Sequence, residues 1–157
     1  MGSGILICRN PHIKGIRMFD KNTGELKNEL KRESDLDHFF RQNQKEMDEQ
    51  TLPDLLLAFL EKYEEKQKDV IKRSMIPASY AYQIFEGRKN CGRDKLLRIA
   101  LAFPLSVAET NKMLSVGGFN DLYVRNKRDA IIMYCLEKRI GVVDTNDLLY
   151  ERGEDIL

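Results

Sequence analysis

An internal repeat constrains the fold of this chain more than any other feature. Residues 93–118, RDKLLRIALAFPLSVAETNKMLSVGG, align with residues 128–153, RDAIIMYCLEKRIGVVDTNDLLYERG, at a constant offset of 35 without a gap. Eight of 26 positions are identical: Arg93/Arg128, Asp94/Asp129, Leu101/Leu136, Val107/Val142, Thr110/Thr145, Asn111/Asn146, Leu114/Leu149 and Gly118/Gly153. Each copy reads as a long helix, a tight turn, a shorter capped helix and a glycine stop, with Ser106 and Glu109 forming a capping box in the first. A period of this length is that of a helical hairpin, and two copies are too few for a solenoid. The pattern predicts two stacked hairpins sharing one core, with Leu101/Leu136 and Leu114/Leu149 buried at equivalent places. The Thr110-Asn111 and Thr145-Asn146 pairs are read as repeated packing or hydrogen-bonding elements. Ile140, Val142, Tyr150 and Leu157 make the end of the second hairpin too apolar for solvent, so it is expected to meet the N-terminal helices or a second chain.

The rest of the chain also predicts helix. Residues 1–24 are the least readable; 5–8 and 13–19 lean towards strand, and Asn22-Thr23-Gly24 signals a turn. Residues 25–50 carry two N-terminal helices. Leu26 and Leu30 stand four apart in the first, and Ser34-Asp35 caps a second bearing Leu36, Phe39, Phe40 and Met47. Thr51 caps the next helix, with Pro53 in its first turn and Leu55, Leu56, Phe59, Leu60 and Tyr63 inward. Residues 51–118 are assigned as the central module and 119–157 as the C-terminal hairpin. The fold class is all-α.

Charge is distributed unevenly. Residues 66–98 hold nine Lys/Arg and three acids, a net of +6, whereas the whole chain is +1. A basic segment inside a near-neutral protein is what local contact with phosphate requires. Three cysteines with no CxxC pair point to a reducing, cytoplasmic setting and away from disulfides or structural zinc. No apolar run approaches the roughly 18–20 residues of a membrane span. No nucleophile elbow, phosphate loop or HExxH motif is present, so neither catalysis nor a cofactor or metal is expected.

Within the basic segment the order is helix, short turn, helix, basic loop, helix. In such an arrangement the second helix can enter a DNA major groove while the first crosses the backbone. Ala78, Ser79, Tyr82 and Gln83 fall on one face of that second helix. Gln83 can pair bidentately with adenine, Ser79 can bond a base edge, and Ala78 can meet a thymine methyl. Tyr82 can stack on sugar or bond phosphate. Arg88, Lys89, Asn90 and Arg93 are placed for the sugar–phosphate backbone, as are Gln67 and Lys68 at the start of the preceding helix. Tyr80 is read as a packing residue.

Residues 66–103 resemble the lambda-repressor-like helix-turn-helix family. The resemblance rests on the apolar pair Val70-Ile71, on Ser79-Tyr80-Ala81-Tyr82-Gln83-Ile84 followed by Gly87-Arg88, and on Leu96-Leu97-Arg98-Ile99-Ala100 in the closing helix. It implies a base-facing role for Ala78, Ser79, Tyr82 and Gln83, and a phosphate role for Gln67, Arg88, Asn90 and Arg93. Met75 stands where the family usually has a turn glycine, which requires either a left-handed non-glycine residue or an altered turn. Pro77 replaces the usual Ser/Thr cap, and Cys91-Gly92 the usual Pro-Ser.

These features lead to the expectation of a non-catalytic transcriptional regulator that binds double-stranded DNA. It would pair as a homodimer, or with a protein partner, through its N-terminal helices or C-terminal hairpin. The rival expectation is a protein-interaction adaptor that keeps the scaffold without reading DNA.

Overall fold

The computed structural model describes residues 21–47 and 50–157. These are all-helical: α1 (Thr23–Arg32), α2 (Leu36–Gln42), α3 (Leu52–Lys62), α4 (Gln67–Ser74), α5 (Ala78–Phe85), α6 (Arg93–Ala102), α7 (Val107–Val116), α8 (Lys127–Glu137) and α9 (Val142–Glu151), with a short 3-10 turn at Gln44–Glu46. The two strand-leaning runs, 5–8 and 13–19, lie outside the described residues.

Local chemistry sets most helix starts. Asn22, Asp35, Thr51, Ser106 and Asn126 each accept a backbone N–H of their own first turn, and Ser106–Glu109 closes the expected capping box. The second helix is shorter than its apolar spacing predicts and does not reach Met47. It ends at buried Asn43, whose amide and Nδ2 both donate to the Phe39 carbonyl (3.0 Å each).

Helices α3 to α9 build one core. Its members include Leu55, Phe59, Val70, Ile71, Leu97, Phe103, Leu114, Ile132 and Leu149. Phe59 and Phe103 meet edge-on with centroids 5.8 Å apart, and Tyr63 tilts onto Phe103 at 6.4 Å. Among the described residues this core takes nothing from α1 or α2. Those helices pack on each other, and Phe39 is their one buried apolar side chain. The end of the second hairpin, expected to meet the N-terminal helices or a second chain, takes nothing from those helices in this core: Val142 and Leu157 are buried within it and Tyr150 is exposed. Leu26 is half-buried, and Leu30, Leu36 and Phe40 stay exposed.

The repeat is built as two hairpins, α6–α7 and α8–α9, and its repeated Arg, Asp and Asn side chains make equivalent bonds, whereas Thr110 Oγ1 donates to the Ser106 carbonyl (2.8 Å) and Thr145 Oγ1 makes no such bond. Arg93 forks onto Asp129 (3.0 Å at both oxygens), while Arg128 forks onto Asp94 (3.0 and 3.1 Å). Such reciprocal pairing relates the two hairpins by a local two-fold rather than by translation. Each arginine also donates to two carbonyls after its own hairpin: Arg93 to Asn120 and Asp121, Arg128 to Asp155 and Ile156. Asn111 accepts the amide of Leu122, and Asn146 that of Leu157. The structural repeat thus continues past the glycine stops to buried Leu122 and Leu157. Leu101, Leu136, Leu114 and Leu149 are buried as the register predicts. Gly118 and Gly153 both adopt φ near +80°, at 82° and 72°. In each, the following amide reaches back to the fifth residue before it, Leu114 or Leu149, which closes a Schellman turn.

Candidate nucleic-acid interface

Helices α4 and α5 are joined by the three residues 75–77. Met75 takes the left-handed conformation (φ 59°, ψ 17°) at the end of α4, and its side chain is exposed. This is the non-glycine, left-handed alternative that the sequence left open, at a typical cost of ~1–2 kcal/mol. The turn is held from outside and within. Arg98 Nη1 donates to the Met75 carbonyl (3.3 Å), and the Ile76 amide bonds Ser74 Oγ (3.3 Å).

Apolar contacts fix the orientation of α5. Ala81, Ile84 and Phe85 are buried, which leaves Ala78, Ser79 and Tyr82 exposed and Gln83 half-buried. The four side chains assigned to the base-facing role thus lie away from the core. Pro77 precedes α5 without a side-chain cap, and Lys66 precedes α4 likewise. The first-turn amides of both helices have no side-chain acceptor, so they can meet an anion.

Gly87 ends α5 with φ 74°, and a Cβ there would lie 2.9 Å from Pro53 Cγ. Both the backbone angle and the closeness of α3 require glycine. The Arg88 amide then returns to the Gln83 carbonyl (2.9 Å). Tyr80 is half-buried, and its hydroxyl donates to the Asn90 carbonyl (2.9 Å), pinning the basic loop to α5. Lys89 and Lys95 sit over its ring at 5.0 and 5.1 Å. The packing role expected of Tyr80 is what these contacts give, with a second task of gathering two lysines. Cys91 is half-buried beside them, and burial raises its thiol pKa.

The arginines of the segment are otherwise engaged. Arg93, expected at phosphate, is bound to Asp129 and to two carbonyls. Arg88 is ion-paired with Glu86 two residues away. Arg73 joins Glu65 (2.9 Å) and the Ala102 carbonyl, and Arg98 donates to the carbonyls of Met75 and Leu157. By contrast, Lys66, Lys68, Lys72, Lys89 and Lys95 form no ion pair with a described residue. Gln67 is half-buried at the first turn of α4, and Asn90 is exposed in the loop. The sequence missed the Arg93–Asp129 bond, whose one available signal was the repeated Arg-Asp dipeptide.

Among the described residues no group of three or more His, Cys, Asp or Glu side chains is placed to hold a metal, and no helix is long and apolar enough to cross a membrane. Comparison of the chain with protein-family models, with curated proteins and with solved structures finds no match.

Proposed function

We propose that the chain is a DNA-binding regulator of the helix-turn-helix type, with α5 as the groove-entering helix. The observation that carries this reading is the coincidence of two features in one segment. The outward face of α5 is made of Ala78, Ser79, Tyr82 and Gln83, while five lysines of the same segment have no carboxylate partner among the described residues. Small and amide side chains suit a groove, and unpaired lysines suit phosphate. The uncapped first turns of α4 and α5 add backbone donors for the same anions.

Binding of the full chain to a labelled random duplex, measured by anisotropy across a salt series, tests the reading. If about four lysines displace counterions, the log–log slope is about −3.6. Changing Lys68, Lys72, Lys89 and Lys95 together to Ala should abolish binding while the fold persists. On a duplex selected from a random pool, Gln83→Ala should weaken cognate more than scrambled binding, since a bidentate amide contact discriminates by ~1–3 kcal/mol. A flat salt response refutes the reading.

The adaptor reading has one observation in its favour. Met75 and Tyr82 are both exposed beside Ala78, giving this face a partly apolar character that a protein partner could cover. Retention of a partner at high salt together with loss of all DNA affinity would favour it.

A further inference from the structure

The local two-fold between the hairpins exposes an asymmetry. Its symmetric contacts are present in both directions: α6 packs on α8, α6 on α9, and α7 on α8. Two contacts have no counterpart. Helix α4 covers α6 and α3 covers α7, but no equivalent helices cover α8 and α9 among the described residues. Residue burial follows the same division. Leu96, Ile99 and Met113 are fully buried in the first hairpin, whereas their equivalents Ile131, Tyr134 and Leu148 are half-buried or exposed. These three line an open groove with Ala130, Lys127 and Arg152, and Lys127 Nζ donates to the Arg152 carbonyl (2.6 Å).

The changes between the copies describe what this groove accepts. Its apolar centre is retained, but Gly117 is replaced by Arg152 and Phe103 by Lys138, whose Nζ lies 5.9 Å from the Tyr134 ring. The groove lining contains two cations and no carboxylate. Glu151 and Glu154 pair with Arg152 and Lys127 (3.8 and 3.3 Å) and do not line it. Surface pairs of this kind are weak and leave both cations available.

We infer that the α8–α9 groove is a docking site for an amphipathic helix of another protein that carries carboxylates beside its apolar stripe. The first hairpin shows helices in both equivalent places, α4 over α6 and α3 over α7; α3 buries Leu55, Leu56 and Phe59 and carries Asp54 and Glu61, with Glu64 and Glu65 just past its end. Helix-in-groove recognition needs apolar anchors one turn apart and complementary charge at the edges, and both are present here. The inference does not depend on DNA binding, since neither α8 nor α9 belongs to the proposed DNA interface.

A fluorescein-labelled peptide of residues 51–65, titrated with the full chain and followed by anisotropy, is the test. Saturable binding is expected, weakened about tenfold or more by Lys127→Glu with Arg152→Glu, lost in Ile131→Asp, and unchanged in Gln83→Ala. Circular dichroism checks the variants; should Ile131→Asp not fold, exposed Tyr134→Ala reads the same site. A peptide with Glu61, Glu64 and Glu65 changed to Lys should bind at least tenfold more weakly. Absence of saturation, equal binding of the reversed peptide, or indifference to the groove variants overturns the inference. So does a doubling of mass in light scattering that Tyr134→Ala abolishes, because a second copy would then be the occupant.

Discussion

Asp129 and Asp94 hold the same place in the two copies and face the same chemistry, yet their replacement should have very different costs. The Asp129 carboxylate is largely buried. It accepts both Nη atoms of Arg93 and the Tyr123 amide, all at 3.0 Å. Asp129→Ala leaves a guanidinium that is only 25% exposed without its counter-ion, and a backbone N–H without its acceptor. Loss of one partner from a buried pair costs ~3–5 kcal/mol, and partial exposure of Arg93 places this case at the lower end, about 3 kcal/mol. Asp94→Ala strands Arg128, itself only 19% exposed, but the Asp94 side chain is 50% exposed and accepts no backbone amide like that of Tyr123, so water reaches the vacated place and the loss should be about 0.5–1 kcal/mol. For a chain of this size these figures correspond to a fall in Tm of roughly 6–12 °C for Asp129→Ala and about 1–4 °C for Asp94→Ala. Urea unfolding of both variants, with a double-mutant cycle on Arg93 and Asp129, measures the difference. A coupling above about 1 kcal/mol is expected at Arg93–Asp129. Equal losses at the two aspartates, or no coupling, would refute burial as the source of the asymmetry.

Other outcomes follow from the geometry. Met75→Gly relieves ~1–2 kcal/mol of left-handed strain but raises the entropy of the unfolded chain, so a net gain of about 0.5 kcal/mol is expected, whereas β-branched Met75→Val should lose more than about 1 kcal/mol; denaturant midpoints decide. Burial pushes the Glu109 carboxyl up, but hydrogen bonds from Tyr63 and Lys62 and from the Ser106 amide outweigh it and hold its pKa below the usual carboxylate value. Its stabilisation is present above the unfolded carboxylate pKa and is lost as pH falls through the lowered one, so Glu109→Gln should flatten that part of an acid titration of Tm. Burial, with Glu109 beside it, pushes the Tyr63 phenol up to about 12. That contribution is present below the ordinary tyrosine pKa and is lost as pH rises through about 12; Tyr63→Phe should remove the alkaline loss. Deleting residues 127–157 uncovers the α6 face that meets α8 and α9 and removes the carboxylate of Asp129, so light scattering should show self-association. A truncated chain that stays monomeric with unchanged stability refutes this.

What the sequence made legible was what its periodicity encodes. The helices of the core, the Thr51 and Ser106 caps, the glycine stops and the paired burial of Leu101/Leu136 and Leu114/Leu149 all follow from local spacing. The extension of the repeat to Leu122 and Leu157 was hidden. Arg93 and Arg128 bind main-chain carbonyls there, and carbonyls do not depend on which side chain the residue carries. The role of Arg93 was obscured for a related reason: local charge counting sees the basic loop, but Asp129 lies 36 residues away. Tyr80 was readable as a packing residue because it stands one turn before Ile84 on α5, off the face shared by Ala78, Ser79, Tyr82 and Gln83. Its two lysines were not, since Lys89 and Lys95 reach its ring from beyond Gly87. The end of α2 at Asn43, short of Met47, is not something apolar spacing reveals.

Positive charge in the central segment falls into two classes by residue type. Every arginine there is fastened to the molecule itself, whereas the lysines have no carboxylate partner among the described residues. Lysine is a hydrated point charge on a flexible stem, whereas the guanidinium fork gives fixed, directional bonds. The outward charge can therefore be lowered, raised or moved one residue at a time with little disturbance beneath. Drift in sequence could retune how strongly this surface holds an anionic partner, and over what range of ionic strength, without the fold having to be restabilised at each step.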